Sequence, residues 1–153
     1  MRKATLCGAL ALSFAAGLIA ARAVPEAGAQ TGPAPLAPRI VNLTSMTDEE
    51  IGPLVNNTDL RSRNLVATPQ GTINIQSGNV LKRFHRDADE IQLILDGTGA
   101  FWLDDKEVQV KPGDLIIIPR GTHHAGSRAA TGRFRAVAIK LPAQRADDTH
   151  PVP

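Results

Sequence analysis

The sequence has a single cysteine, Cys7, which lies close to the N-terminus. One thiol cannot form an internal disulfide, and removal of the first residues by processing would leave no thiolate for catalysis. Aromatic side chains are also scarce, with four phenylalanines, one tryptophan and no tyrosine. No CxxC pair, glycine-rich phosphate loop or Ser-His-Asp order indicates another class of enzyme. Disulfide scaffolds and thiol chemistry are therefore excluded for the processed chain.

The first 23 residues have the pattern of an export signal. A basic start, Met1-Arg2-Lys3, precedes an apolar stretch over residues 4–20, and small-x-small sites end at Ala23 and Ala29. We predict a signal peptide at residues 1–23, with cleavage after residue 29 as the alternative. An uncleaved membrane anchor is disfavoured because the apolar stretch is short and rich in alanine. The protein is therefore expected to be exported to the periplasm, without membrane association after processing.

Processing also changes the charge balance. The full chain carries a formal charge of +2, but cleavage after residue 23 leaves 14 basic against 15 acidic residues. Cleavage after residue 29 leaves 14 of each. A nearly neutral domain without a basic stripe or an aromatic set has no electrostatic basis for binding nucleic acid. Nucleic acid is therefore not an expected partner.

Residues 39–141 alternate short β-like runs with turn signals, which predicts one all-β domain, a closed antiparallel barrel or jelly roll. The predicted strands are Ile40–Leu43, Arg63–Ala67, Thr72–Gln76, Asn79–Phe84, Glu90–Leu95, Ala100–Leu103, Glu107–Val110, Leu115–Ile118 and Arg133–Lys140. A short helix is expected near Thr47–Leu54, since Thr47 and Glu50 are in capping-box register. Residues 24–38 and 142–153 are rich in proline and alanine, which predicts a flexible leader and a flexible tail.

Two short motifs contain the candidate chemistry. In residues 78–97, His85 is followed after four residues by Glu90 and after six more by a glycine. Residues 113–124 read G-x5-P-x-G-x2-H and end on His124. Two imidazoles and a carboxylate can bind a divalent ion such as iron, manganese, nickel or zinc, with positions left open for substrate.

These motifs resemble the two signatures of the cupin superfamily, G-x5-H-x-H-x3,4-E-x6-G and G-x5-P-x-G-x2-H-x3-N. The second signature matches through His124, and an arginine replaces its final asparagine. The first matches from His85 onward, with Arg83 where the family has its first histidine. Another register makes His85 the first family histidine and puts Asp87 at the second, but the spacing to the glutamate is then one residue too short.

The resemblance implies a cupin-type double-stranded β-helix, a jelly-roll barrel, with His85, Glu90 and His124 as metal ligands. Arg83 and Gln92 are the predicted substrate-binding residues, because strand alternation puts Arg83 on the face of His85 and Gln92 beside Glu90. Arginine has no lone pair to offer a metal. Arg83 could therefore pair with a substrate carboxylate, replace the metal charge in a metal-free pocket, or mark a site with only three protein ligands.

The expected function is that of an exported metal-binding cupin acting on a small organic molecule, as a mononuclear-metal dioxygenase or an isomerase-type enzyme. One alternative is a non-catalytic periplasmic module that binds a small molecule or a metal. Another is a degenerate cupin whose histidines only satisfy local hydrogen bonds. No residue is assigned as catalytic.

The residues around the motifs carry further expectations. The resemblance implies a homodimer, at whose interface Phe101, Trp102 or Phe134 could lie, but core packing is predicted for at least two of them. His123 is expected to be a neighbouring or surface group, since alternation sends it away from His124. The aspartates of residues 87–89 are expected at a turn or at the rim of the pocket.

Overall fold

The computed structural model describes residues 36–56 and 58–153. The predicted signal peptide, both cleavage sites and most of the predicted leader lie outside the described residues. The described chain is almost wholly β-structure, which confirms the expected all-β class. Its elements are α1 (Asp48–Ile51), β1 (Arg61–Thr68), β2 (Gly71–Ser77), β3 (Arg83–Phe84), β4 (Asp89–Leu103), β5 (Lys106–Val110), β6 (Leu115–Ile118), β7 (His124–Leu141) and β8 (His150–Pro151). Within the described residues, no helix has the length and apolar character needed to span a membrane.

Two long antiparallel strands, β4 and β7, form the centre of the sheet. The first half of β4 also pairs with β6 and the second half with β5, while β7 pairs with β2 and β3. Register shifts interrupt the β4–β7 ladder between Ile94 and Trp102. Such bulges bend and twist a strand pair. The sheet therefore curls into the predicted jelly-roll barrel.

The core lies inside the curl because side chains alternate between the two faces of each strand. On β6, Ile116 and Ile118 are buried, whereas Leu115 is 59% and Ile117 is 66% exposed. The inward residues of β4, β5, β6 and β7 form one apolar cluster, which includes Ile94, Phe101, Val110, Ile116, Ile118, Phe134 and Ala136. Core packing of Phe101 and Phe134 is thereby confirmed, while Trp102 is half-buried beneath the ammonium group of Lys82.

The short helix α1 begins at the predicted cap. The Thr47 hydroxyl accepts a hydrogen bond from the Glu50 amide at 3.2 Å, and the Glu50 carboxylate accepts one from the Thr47 amide at 2.8 Å. These two bonds satisfy amides that the helix itself cannot pair. Gly52 ends the helix with a φ of 125°, a backbone conformation that glycine adopts without a Cβ penalty.

Several predicted strand boundaries are wrong. Residues 40–43 form no strand, and only the last two residues of the predicted strand 79–84 are in β3. The runs 90–95 and 100–103 are one strand, because Asp96-Gly97 is accommodated as an irregularity beside β7 and not as a chain reversal. β7 begins at His124, nine residues before the predicted start.

The predicted flexible tail also needs correction, because residues 142–153 fold back onto the barrel. β8 pairs with β3, and the Asp148 side chain is buried. Its carboxylate accepts hydrogen bonds from the amides of Arg86 at 2.7 Å and Asp87 at 3.2 Å. His150 packs on the Phe84 ring at 5.0 Å between centroids. Proline-rich composition misses this packing because it depends on partners more than 60 residues away.

Candidate metal centre

Three strands bring the predicted ligands together inside the barrel. His85 directly follows β3, Glu90 is near the start of β4, and His124 is the first residue of β7. The Nε2 atoms of His85 and His124 lie 3.0 and 3.1 Å from Oε2 of Glu90. All three side chains are buried, and their potential ligand atoms lie within 4.8 Å of one another. The cluster could therefore hold one metal ion.

Backbone carbonyls orient both imidazoles. His124 donates through Nδ1 to the Thr122 carbonyl at 2.9 Å, and His85 donates through Nδ1 to the Asp148 carbonyl. A carbonyl oxygen only accepts, so Nδ1 of each ring carries a hydrogen and Nε2 faces Glu90. Two nitrogen lone pairs facing a carboxylate oxygen repel it unless protons or a cation lie between them. The donor set therefore fits a divalent metal ion, and the carbonyls fix the tautomer that ligation requires.

A tight turn connects the second motif to the first. Thr122 donates its amide to the Pro119 carbonyl at 3.1 Å, and Gly121 donates its amide to the His85 carbonyl at 2.6 Å. Gly121 has a φ of 81°, which a residue with a Cβ rarely adopts. The turn therefore places His124 relative to His85 through the main chain.

Gln92 orients the third donor. It is buried two residues along β4 from Glu90, and its amide nitrogen donates to Glu90 Oε1 at 2.8 Å. This bond leaves Oε2 facing the histidines. Direct contact of Gln92 with a substrate stays a prediction, because the structure places its amide nitrogen on Glu90.

Burial alone would raise the pKa of Glu90. The contacts with His124 and His85 and the positive charges of Lys140 and Arg83 outweigh burial and hold the pKa well below its ordinary value. Glu90 is thus an ionised carboxylate, suited to metal ligation and unsuited to donating a proton.

The structure adds a buried cation that the sequence analysis missed. Lys140 lies opposite Glu90 in the β4–β7 ladder, and its ammonium group donates to the Gln144 side chain. Burial lowers the pKa of Lys140, and the charge of Glu90 partly offsets that effect. Strand alternation could have found it, because Ala136, Ala138 and Lys140 share one face of β7 and the alanines are buried. No such alternation of buried side chains indicates Gln144, which lies beyond the end of β7.

Arg83 occupies the position next to the cluster. Its backbone pairs with His124 on one side and Pro151 on the other. Two guanidinium nitrogens, Nε and Nη2, are enclosed by protein and have no hydrogen-bond partner among the described residues. Burial lowers the pKa of Arg83 and Glu90 opposes that effect, but a guanidinium remains charged in proteins.

The remaining polar residues near the motifs lie outside the cluster. Asp87 is exposed and pairs with Arg145 at 3.1 Å, so the alternative register that makes Asp87 a ligand has no support in the structure. Asp89 pairs with Arg120 at 2.8 Å, and the hydrogen bonds from this arginine lower the pKa of Asp89 to about 2. His123 packs against the Phe84 ring with the centroids 5.4 Å apart, as expected for a neighbouring group.

Comparison with known proteins agrees with this architecture. The cupin domain family matches residues 71–140. An acireductone dioxygenase of Rhodopseudomonas palustris (strain TIE-1) is 33% identical over 121 residues, covering 76% of this chain and 71% of the relative. A Klebsiella pneumoniae protein of uncharacterized function with a double-stranded β-helix domain superposes with a TM-score of 0.61 at 14% identity, over 76% of this chain and 100% of the other.

A Streptomyces PAC13 variant crystallised with uridine superposes with a TM-score of 0.52 at 22% identity, over 64% of this chain and 81% of the other. At these identities the two structural likenesses show the fold alone.

Proposed function

The chain belongs to the cupin superfamily, and we propose that it is a mononuclear-metal dioxygenase acting on a small organic molecule. The observation that carries the proposal is the convergence of His85, Glu90 and His124 on one buried point, with both imidazoles oriented by backbone carbonyls. Two histidines and one carboxylate are a sufficient ligand set for non-haem iron oxygenases. The similarity to acireductone dioxygenases supports dioxygen as the second reactant.

A divalent ion in this site would supply Lewis-acid and redox chemistry. The protein contributes fixed positions. Gln92 holds Glu90, and the carbonyls of Thr122 and Asp148 prevent rotation of the imidazoles. A dioxygenase places both atoms of one O2 molecule in the organic product, and the substrate provides the electrons. The proposal therefore requires no external reductant.

The first test is metal content by mass spectrometry of the purified protein, compared with His124→Ala and the matched neighbour variant His123→Ala. We expect near-stoichiometric metal in the wild type and in His123→Ala and its loss in His124→Ala, because His124 faces Glu90 whereas His123 packs against Phe84. Wild-type protein that contains no metal and does not bind added iron, manganese, nickel or zinc would overturn the proposed metal centre.

The second test is oxygen consumption, measured with an electrode on the metal-loaded protein. Acireductone and a panel of small organic acids are the substrates, and His124→Ala is the control. We expect oxygen consumption that requires substrate and disappears in the variant. Loaded protein that consumes no oxygen with any of these substrates would contradict the dioxygenase assignment and leave a binding or isomerase role.

We also propose that the protein is exported, on the pattern of residues 1–23 alone. N-terminal sequencing of the protein from a periplasmic extract should begin at residue 24 or residue 30. An intact N-terminus on protein confined to the cytoplasm would contradict export. The homodimer likewise stays a prediction, to be measured by sedimentation velocity.

A further inference from the structure

Four charged residues lie around the candidate metal centre: Lys140, Glu90 and Asp148 are buried, and Arg83 is half-buried with two enclosed guanidinium nitrogens. Arg83 and Lys140 are positive, and Glu90 and Asp148 are negative. Lys140 and Arg83 both act electrostatically on Glu90, and Asp148 acts on Lys140. Without a metal these four charges cancel. A divalent ion would add two positive charges, which is costly in a weakly polar interior, so the loaded site calls for an anion.

The guanidinium of Arg83 has the geometry to receive that anion. Nε and one Nη form a fork whose parallel N–H groups match the two oxygens of a carboxylate. In Arg83 both of these atoms are enclosed and unpartnered among the described residues. Arg133 shows the contrast, because its guanidinium donates to Ser77 and Asp59 through Nε, Nη1 and Nη2. A buried donor without a partner is unfavourable, and Arg83 has two.

The cavity that could hold an organic ligand lies next to Arg83. On the core side, Gln92 borders a void of about 20 Å³, which has room for about one water molecule. Arg83 lines a cavity of about 300 Å³ between residues 55, 56, 58 and 60, residues 79–83 and the folded-back tail. Asn56, Asn79 and Thr149 give this cavity polar groups among apolar side chains. Its volume is at the lower end of the range for small-molecule sites.

We propose that Arg83 binds the carboxylate of a small organic acid, with Lys140 as a second positive group. The inference deepens the proposed function, on which it rests for its catalytic meaning: the substrate of the dioxygenase would be an organic acid. Because the acid would bring a negative charge that offsets the positive charge of the metal, binding of one should tighten binding of the other.

Isothermal titration tests this site directly. The probes are two- to five-carbon 2-oxo and 2-hydroxy acids, each compared with its uncharged methyl ester. We expect at least one acid to bind the wild type and its ester not to bind. Arg83→Gln should raise the Kd at least about tenfold, since hydrogen bonds to a charged group are worth about that factor or more. Arg83→Lys should fall between the two, because it keeps the charge and loses the fork.

The exposed neighbour Arg86 provides the matched control, and Arg86→Gln should leave the Kd unchanged. Binding that is equal in wild type and Arg83→Gln would overturn the inference. Failure of every acid to bind the wild type would also overturn it.

A purely structural role for Arg83 gives a different result in the ligand-free protein. If Arg83 only stabilises the fold as a counter-ion of Glu90, Arg83→Met should lower the unfolding temperature. If the guanidinium is instead kept for a ligand, its two unpartnered donors lower the stability of the ligand-free protein, and replacement by an apolar side chain should leave that temperature equal or higher. A substantial decrease in Arg83→Met would count against the proposal.

Metal content and oxygen uptake on the same preparations separate the two proposals. Metal-free wild type that binds acids through Arg83 would refute the metal enzyme and keep the anion site. Loaded protein that oxidises substrate equally well in Arg83→Gln would keep the dioxygenase and refute the anion site. The Kd of the acid should also be lower in metal-loaded than in chelator-treated protein.

Discussion

Asp148→Ala tests whether the folded-back tail stabilises both the barrel and the candidate metal centre. The Asp148 carboxylate is buried and accepts hydrogen bonds from the amides of Arg86 at 2.7 Å and Asp87 at 3.2 Å. Its backbone carbonyl accepts from Nδ1 of His85. The substitution removes the carboxylate and leaves two amides near the metal ligand without their acceptor.

The expected loss can be worked out from these contacts. A hydrogen bond to a charged group contributes about 1.5–3 kcal/mol, and relief from burying the carboxylate offsets part of the loss of two. We expect the free energy of unfolding to fall by about 3 kcal/mol. For a domain of this size that corresponds to a decrease in Tm of about 10–15 °C. The substitution should also leave the His85 ring less firmly positioned. Metal affinity should then fall by about 10- to 100-fold, the usual effect of disturbing an interaction that orients a metal ligand.

The measurements are urea unfolding followed by circular dichroism and competitive metal titration against a chelator. The adjacent residue provides the matched control, because Asp147 is exposed and pairs with Arg145 at the surface. Asp147→Ala should change stability by less than about 0.5 kcal/mol. If Asp148→Ala proves no more destabilising than Asp147→Ala, the tail does not hold the barrel together and the reasoning is refuted.

Three further predictions concern the core, the acid stability and the site. Ile118→Ala should lower the free energy of unfolding by about 2–5 kcal/mol, whereas Ile117→Ala, on the exposed face of the same strand, should cost less than about 1 kcal/mol in the same urea titration. The hydrogen bond from Ser77, opposed by burial and aided by neighbouring arginines, lowers the pKa of Asp48 in the folded state. The stabilisation by ionised Asp48 is therefore present above the unfolded pKa of about 4 and is lost as the pH falls below it. Asp48→Asn should then show a flatter dependence of the urea midpoint on pH than the wild type between about 5 and 3. Parallel curves for the two proteins would contradict this. Gln92→Ala should weaken metal binding by about 10- to 100-fold in chelator competition, since Glu90 then lacks its orienting donor; unchanged affinity would show that Glu90 is held without it.

The resemblance of the two motifs to the cupin signatures predicted the three candidate ligands, and the structure brings them together. His85 and Glu90 are five residues apart, and His124 follows a turn whose glycine bonds to the His85 carbonyl. Strand alternation likewise predicted that Gln92 lies beside Glu90, and the structure confirms it. The position of Gln92 beside Glu90 follows from local backbone geometry, which a short stretch of sequence determines.

The strand boundaries could not be read in the same way. Asp96-Gly97 has the composition of a turn, yet β4 continues through it because β7 pairs along both halves. The early start of β7 depends in the same way on pairing with β4, since residues 124–132 contain little apolar alternation of their own. Tertiary pairing overrides local preference at such places.

The sequence by itself determined the fold class and the inward faces of the strands, because each depends on periodicity within a segment, and the resemblance of its two motifs to the cupin signatures indicated the three candidate ligands. Only the tertiary structure decided the surroundings of those ligands. The contact between His85 and Asp148 spans 63 residues and lies in a segment whose composition favours a flexible chain. The same holds for Arg83, because its position in the sequence left three roles open. Two of its guanidinium nitrogens are enclosed without a partner among the described residues only because strands β3, β7 and β8 pack together.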